Sequence, residues 1–310
     1  MQLFINSKLN DTRKAELQRQ LSADVTPTFR DDLPKDEQQK AFQSADIVLG
    51  NPPAAWFAEP LPNLKFWQLD SAGFDGYKNA RITASVANMG DYFAWPCAET
   101  MVAGILAMYR LIPELAVLQS RSEWVGQPLR DHMRLLKGQS VVILGTGTIG
   151  QAVRQMLSGF TCTIKMLART DPHADLHSAD ELKTILPETD IVINCLPGTA
   201  TAFMSADLIG AMKPGRIYAN VGRGSTTDET ALIKALQSNQ LGGAVLDVTA
   251  TEPLPADSPL WTMPNVLLTQ HTGGGQPDED AGKVVLFLRN LPKFLAGEPL
   301  ENAVELGRGY

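Results

Sequence analysis

Residues 141–150 read Val141-Val142-Ile143-Leu144-Gly145-Thr146-Gly147-Thr148-Ile149-Gly150, four apolar residues breaking into the pattern GxGxxG. The apolar run, Ser140–Leu144, has the β-branched content of a buried strand, and Gln151–Leu157 after the glycines has helical character. Each glycine has a separate task in such a turn: a tight bend, close approach of backbone to a pyrophosphate, and close packing of helix on strand. The helix N-terminus adds N–H groups and a positive partial charge. Glycine-rich turns between strands and helices are common, so the motif gains weight from its flanks. Gly145, Gly147 and Gly150, with Thr148 and Ile149 at the helix start, are therefore expected to hold a dinucleotide. An NAD site places a carboxylate about 20 residues further on, bonded to the ribose 2′-hydroxyl. Here that strand ends Leu167-Ala168-Arg169-Thr170-Asp171, with Ala168 at the expected acid position. A guanidinium and a hydroxyl suit a 2′-phosphate. Arg169 and Thr170 thus predict NADP(H) as the preferred cofactor, with NAD(H) possible. The alternative is that Arg169 is a solvated surface residue and that Asp171 serves the ribose.

Working outward, short apolar runs recur along the whole chain. Expected strands in the first third are Gln2–Ile5, Asp46–Leu49, Phe66–Leu69 and Ile82–Ser85. Later ones are Thr163–Leu167, Ile191–Cys195, Arg216–Asn220, Gly243–Leu246 and Val266–Thr269, with Asp228–Ser238 among the helices. Strands alternating with helices predict βαβ units and parallel sheets. The fold class is therefore α/β, with two Rossmann-like or flavodoxin-like domains built on parallel sheets. A long apolar helix, from about Glu99 to Gln119 and kinked or ended near Pro113, follows the first block. A polar arm, 121–138, comes next. A helix from about Asp280 to Leu295 would return the chain to the first domain. The expected division is 1–98 plus 283–310 as a discontinuous substrate domain, and 99–282 as the dinucleotide-binding domain.

Bulk properties fit this reading. The chain has 310 residues, ample for two domains, with 44% hydrophobic and 20% charged residues. A net charge of -7 argues against a nucleic-acid partner, which wants a basic face. The start, MQLFINSKLNDTRK, has no leader-peptide pattern, and the longest apolar stretch, Met101 to Tyr109, is far short of a membrane span. Cys97, Cys162 and Cys195 are widely spaced, without metal-type or disulfide-type pairing, so a cytoplasmic, reducing setting is expected and the three read as small buried hydrophobes. No cluster has the ligand spacing for a metal.

Three strand ends carry the candidate chemistry: Asn220-Val221-Gly222-Arg223-Gly224, then Leu246-Asp247-Val248 with Glu252-Pro253 just beyond, then Gln270-His271-Thr272-Gly273-Gly274. Ligands of open parallel sheets bind at the carboxyl ends of the strands, so Arg223, Glu252 and His271 are expected on one rim. Taken singly each has a plain explanation: a solvated arginine, a loop carboxylate, a structural histidine. Together, behind a dinucleotide turn, they resemble the D-isomer-specific 2-hydroxyacid dehydrogenase family. The likeness runs from about Leu69 to His271 in order, spacing and neighbouring residues. Ser71-Ala72-Gly73-Phe74-Asp75 looks like that family's carboxylate-binding loop, and Ala98-Glu99 like the start of its interdomain helix. Ser122-Glu123-Trp124 and the ending Arg308-Gly309-Tyr310 are similar to its glyoxylate/hydroxypyruvate reductase branch.

The resemblance implies reduction of a small 2-oxo acid to the D-2-hydroxy acid by hydride transfer from NAD(P)H, with the active site in the cleft between the two domains. It implies His271 as general acid, the side chain that titrates near neutrality. Glu252 would bond the other ring nitrogen and stabilise imidazolium. Arg223 would hold the substrate carboxylate and polarise the carbonyl, and the N–H groups of Ala72 and Gly73 would grip the carboxylate as well. Asp247 would anchor the nicotinamide carboxamide, Gly273 would leave room for its ring, and Leu196, Pro197 and Val221 would complete the cofactor contacts. The family more often has proline where this chain has Gln270, and commonly phenylalanine where it has Thr249. The formate-dehydrogenase branch pairs its histidine with glutamine, so Glu252 argues against formate. Two other functions stay open: an NAD-dependent dehydrogenase of a bulkier D-2-hydroxy acid, and a nucleotide-sensing, corepressor-like binding protein. A homodimer is expected from the apolar helix and the arm, with no membrane partner.

Overall fold

A computed structural model describes residues 1–309. The chain forms two compact units, one of Met1–Phe93 with the segment from Gln276 onward, the other Ala94–Gly275. The expected boundaries at 98/99 and 282/283 lie a few residues further along, inside helices. The helix Ala94–Tyr109 begins before Glu99, and Glu279–Ala296 begins before Lys283. Tyr310, part of the reductase-like ending, lies outside the described residues.

The first unit is built on a parallel sheet of β1 (Gln2–Ile5), β2 (Thr26–Phe29), β3 (Ile47–Leu49), β4 (Phe66–Gln68) and β5 (Ser85–Ala87), in the order β2-β1-β3-β4-β5. β3 and β4 are buried throughout, as strands covered on both faces must be. Alternation sends Leu3, Ile5, Leu49 and Phe66 to one core, and Phe4, Val48 and Trp67 to the other. The helix Glu279–Ala296 belongs to the first of these, with the Phe287 and Phe294 rings stacked on Phe66 at 6.1 and 5.1 Å. Two expectations needed correction here. β2 carries Pro27 and reads poorly as a strand, but it lies on the sheet edge, where a missing N–H does no harm. The last strand is Ser85–Ala87 rather than Ile82–Ser85, because Val86 and Ala87 are the buried residues. Its outer edge is covered by the segment around Ala303, which bridges Ala87.

The second unit has six parallel strands: β6 (Ser140–Leu144), β7 (Thr163–Leu167), β8 (Ile191–Asn194), β9 (Arg216–Asn220), β10 (Leu241–Leu246) and β11 (Val266–Leu268). They run β7-β6-β8-β9-β10-β11, so the order reverses at β6. In such sheets the ligand crevice opens at that switch point, outside the carboxyl ends of β6 and β8. The long apolar helix is in fact two, Ala94–Tyr109 and Ile112–Ser120, with axes 68° apart. The break falls at Leu111, with φ 57°, and Pro113 sits in the first turn of the second helix, where its missing N–H has no partner to lose. Gly104 lets the first helix lie on β10, since a Cβ there would stand 2.5 Å from Val245. The arm beyond it contains one short helix, Gln127–Arg130, and leaves Trp124 96% exposed. Among the described residues no single helix is long and apolar enough to cross a membrane.

Candidate active site

The glycines after β6 divide their labour. Gly145 has φ 103°, a conformation open to glycine, and a Cβ there would stand 3.1 Å from the Cys195 carbonyl at the end of β8. A Cβ on Gly150 would collide with the Gly145 carbonyl, so this glycine sets the helix against the turn. A Cβ on Gly147 would meet nothing within 4 Å, so the backbone there is open to a ligand. The helix Thr148–Leu157 follows, and its N-cap, Gly147, supplies no side-chain acceptor. Its first N–H groups remain available for an anion, as a pyrophosphate site requires. The turn and its flanks therefore fit a dinucleotide.

Arg169 and Thr170 follow β7 on the surface. Asp171 is engaged locally: its carboxylate accepts from the His173 N–H at 2.9 Å. That bond, with a second from the Thr146 hydroxyl, holds its carboxyl below the usual range. Leu196 and Val221 are buried at the ends of β8 and β9. Two asparagines that the sequence reading passed over secure these ends. Asn194 Oδ1 accepts from Leu196 N–H at 3.0 Å, and Asn220 Oδ1 from Gly222 N–H at 2.9 Å. Their amide groups bond the buried hydroxyls of Thr226 and Thr227. Side chains that bond their own backbone two residues on favour turns, which is the available sequence signal.

Arg223 lies three residues beyond β9, and its Nη1 donates to the Gly222 carbonyl at 2.8 Å. A Cβ on Gly224 would overlap the Thr249 carbonyl, so the arginine loop packs directly against the loop that carries Glu252. Both Glu252 oxygens are in use: Oε1 accepts from Thr249 N–H at 3.0 Å, and Oε2 lies 2.6 Å from His271 Nδ1. A carboxylate beside Nδ1 keeps hydrogen on that nitrogen and leaves Nε2 for proton exchange. The His271 side chain is 52% exposed, open to a reacting molecule.

Asp247 organises the histidine loop. It is buried, and its Oδ1 accepts from Thr269 Oγ1 at 2.5 Å, Thr272 N–H at 3.1 Å and Gly273 N–H at 3.0 Å. Its main-chain carbonyl accepts from His271 N–H at 2.6 Å. Gly273 is small for the same reason: a Cβ there would stand 2.8 Å from Asp247 Oδ2. Gln270 and His271 both adopt left-handed backbone, φ 54° and 56°. Proline, fixed near -65°, cannot take that conformation, which accounts for glutamine before the histidine. A cavity of about 390 Å³ opens beside the pair, lined by Glu252 and His271 and by the apolar side chains of Leu246, Leu254, Trp261 and Leu268.

The loop after β4, in the first unit, has its carbonyls tied back: Asn88 Nδ2 donates to Ala72 O and Ser71 Oγ to Gly73 O, both at 2.6 Å. The N–H groups of Ala72 and Gly73 find no acceptor among the described residues. Asp70, just before them, is a half-buried carboxyl that the sequence alone does not single out. Burial raises its pKa, while the Ser7 hydroxyl donating at 2.8 Å and the charge of Lys283 oppose the rise. Burial likewise pushes the thiols of Cys97 and Cys195 up to about 12, so neither is a ready nucleophile. No group of three His, Cys, Asp or Glu residues placed to hold a metal occurs among the described residues.

The family model described as D-isomer specific 2-hydroxyacid dehydrogenase, NAD binding domain, matches residues 102–273. Glyoxylate/hydroxypyruvate reductase B of Enterobacter sp. (strain 638) is 32% identical over 316 residues, covering 96% of this chain and 96% of that protein. Among solved structures, a D-isomer specific 2-hydroxyacid dehydrogenase family protein from Aeromonas salmonicida subsp. salmonicida A449 superposes with a TM-score of 0.84 at 28% identity, over 98% of this chain and 99% of that one. A D-isomer specific 2-hydroxyacid dehydrogenase from Xanthobacter autotrophicus Py2, solved in complex with NADPH and MES, gives 0.79 at 28% identity, over 99% of each chain.

Proposed function

The chain belongs to the D-isomer specific 2-hydroxyacid dehydrogenase family and is an NAD(P)-dependent oxidoreductase, and we propose that it reduces a small 2-oxo acid, of the glyoxylate or hydroxypyruvate kind, to the D-2-hydroxy acid with NADPH. The bound cofactor supplies a hydride to the carbonyl carbon; the protein supplies the proton and the geometry. Gly145–Gly150 holds the pyrophosphate, Arg169 and Thr170 the 2′-phosphate, and Leu196, Pro197 and Val221 line the path between. Arg223 pairs with the substrate carboxylate and draws charge toward the carbonyl oxygen. The N–H groups of Ala72 and Gly73 give the carboxylate its second hold. His271 donates from Nε2 to the carbonyl oxygen as the hydride arrives, so the alkoxide never has to form free. Glu252 fixes the ring through Nδ1 and stabilises the imidazolium before transfer. Asp247, beyond any hold on the nicotinamide carboxamide through its remaining oxygen, keeps the histidine loop in place, with Gly273 giving it room.

The observation that carries this reading is the 2.6 Å contact of His271 Nδ1 with Glu252, on a loop pinned by Asp247 at neighbouring strand ends. The test follows loss of reduced-nicotinamide absorbance with NADPH or NADH and a panel of 2-oxo acids, for the wild type and His271→Ala. Turnover of glyoxylate or hydroxypyruvate with NADPH, lost in the variant, is expected. Near-normal turnover by His271→Ala would overturn the assignment. A bulkier 2-oxo acid is the second reading, favoured by the apolar cavity of about 390 Å³ beside His271, more room than glyoxylate needs. Higher kcat/KM with branched or aromatic acids in the same panel would select it.

We also infer a homodimer in the cytoplasm. Ile112, Val117, Trp124 and Val125 are large apolar residues left exposed on the second helix and the arm, the kind of patch a second copy covers. A monomer by sedimentation at micromolar concentration would refute it. The three cysteines are unpaired, as suits a reducing compartment.

A further inference from the structure

The chain does not leave β7 after Leu167. The N–H groups of Asp175 and Leu176 donate to Met166 O at 2.9 and 3.1 Å, and Ala168 N–H donates to Leu176 O at 3.0 Å. Leu167 and Leu176 pair as an isolated parallel bridge. Residues 171–177 thus form a loop that folds back along the end of β7 and sets His177 beside Ala168. The imidazole Nδ1 lies 3.0 Å from Ala168 O. A carbonyl can only accept, so Nδ1 carries hydrogen in either charge state of the ring. Nε2 is then the nitrogen that gains or loses a proton; it has no hydrogen-bond partner among the described residues, and His177 is exposed. The end of this strand is where the adenosine ribose of a dinucleotide docks.

We propose that His177 is a ligand of the cofactor 2′-phosphate and, with Arg169, sets the preference for the phosphorylated dinucleotide; this rests on the NADPH reading above. A neutral Nε2 presents a lone pair and would repel a phosphate dianion. The two groups must share one proton, either as imidazolium with the dianion or as neutral ring with the monoanion. Imidazoles and phosphate monoesters both titrate near neutrality. Binding of the phosphorylated ligand above that range therefore takes up a proton, and binding of its unphosphorylated counterpart does not. The surrounding charges make a second cation useful. Asp171 and Glu181 are both close, Glu181 Oε2 accepting from His177 N–H at 2.7 Å, and both oppose an added anion. Arg169 at the strand end and His173 in the loop are the other charged or titratable groups there, while the Asp175 carboxylate is taken up by Met166 N–H.

Titration calorimetry on the full chain with 2′,5′-ADP and 5′-AMP, which differ only in the 2′-phosphate, at pH 7.5 in two buffers of different ionisation enthalpy, tests this without turnover. Wild type should bind 2′,5′-ADP more tightly and take up a measurable extra fraction of a proton with it. His177→Asn, whose amide nitrogen can keep the bond to Ala168 O, should weaken 2′,5′-ADP binding about 5- to 20-fold, as expected for one exposed charge-assisted hydrogen bond, and abolish the extra uptake. Arg169→Ala should weaken binding while the extra uptake persists. If Arg169→Ala weakens binding and His177→Asn matches wild type in affinity and uptake, the role of His177 is overturned and the NADPH reading stands. If wild type does not distinguish 2′,5′-ADP from 5′-AMP and Arg169→Ala changes nothing, the NADPH reading falls and takes this inference with it.

Discussion

Gly273→Ala isolates what holds the proton donor in place. The added Cβ would stand 2.8 Å from Asp247 Oδ2, 3.1 Å from Cγ and 3.3 Å from Oδ1. Ordinary contact begins at 3.4 Å, so the carboxylate or the loop must yield by 0.6 Å (3.4 less 2.8). The carboxylate cannot move alone, because Oδ1 accepts from Thr269 Oγ1, Thr272 N–H and Gly273 N–H. Bonds to a charged acceptor contribute about 1.5–3 kcal/mol each, and partial loss of three corresponds to roughly 2–4 kcal/mol. At about 2–4 °C per kcal/mol, the melting transition of the second unit should fall by several degrees. His271 moves with the loop, and a displacement approaching 1 Å costs about 100-fold in rate. Differential scanning calorimetry and steady-state kcat with NADPH check both limbs. A Tm within 1 °C (about the scatter expected of a neutral surface change) and kcat within about twofold of wild type would refute the account of Asp247 as the organiser of the loop.

Gly147→Ala should do the reverse, leaving Tm unchanged, because a Cβ there meets nothing, yet raising KM for NADPH by about tenfold or more where the pyrophosphate approaches. Arg223→Lys should lower kcat/KM by about 100-fold despite keeping the charge, because a lysine lacks the planar fork that matches a carboxylate; substrate-saturation kinetics read it. Asp70→Asn should stabilise the first unit at neutral pH. Burial raises the native pKa of Asp70, so stability is lost as pH rises from the unfolded carboxyl pKa through the native one. The Tm gap between variant and wild type should be near zero at low pH and widen toward pH 7, and a gap independent of pH would contradict the burial argument.

Much of this was legible in residues 141–150 and in the three strand ends. Short buried strands betray parallel sheets by their continuous apolar runs, and the glycine turn gains its meaning from the strand before it and the helix after it. Pro27 hid an edge strand, because the rule that excludes proline holds for central strands only. The fifth strand slipped by three residues, since its register depends on Leu69 N–H bonding Ala87 O, a partner distant in sequence. In the site, Arg223, Glu252 and His271 could be named from their order, yet the network of Asp247 could not. Two of its three donors to the carboxylate are main-chain N–H groups, whose residue identity carries no signal. His177 sits in a polar stretch, and only the fold-back onto β7 gives it an address.

The return of the helix Glu279–Ala296 to the first sheet has a consequence for biosynthesis. Val284, Phe287 and Leu291 complete a core whose other members, from Leu3 to Ala87, are made first. All strands of the second unit lie between them in the chain. On the ribosome the nucleotide-binding unit can therefore close while the amino-terminal third still waits, one face of its sheet covered only in part by Leu9 and Leu17, for the last helix to emerge. Nascent chains arrested with Gly275 just clear of the ribosomal exit tunnel should show a protease-resistant core mapping to residues 94–275, with the first 93 residues still cleavable. The part of the protein synthesised first is expected to be the part that finishes folding last.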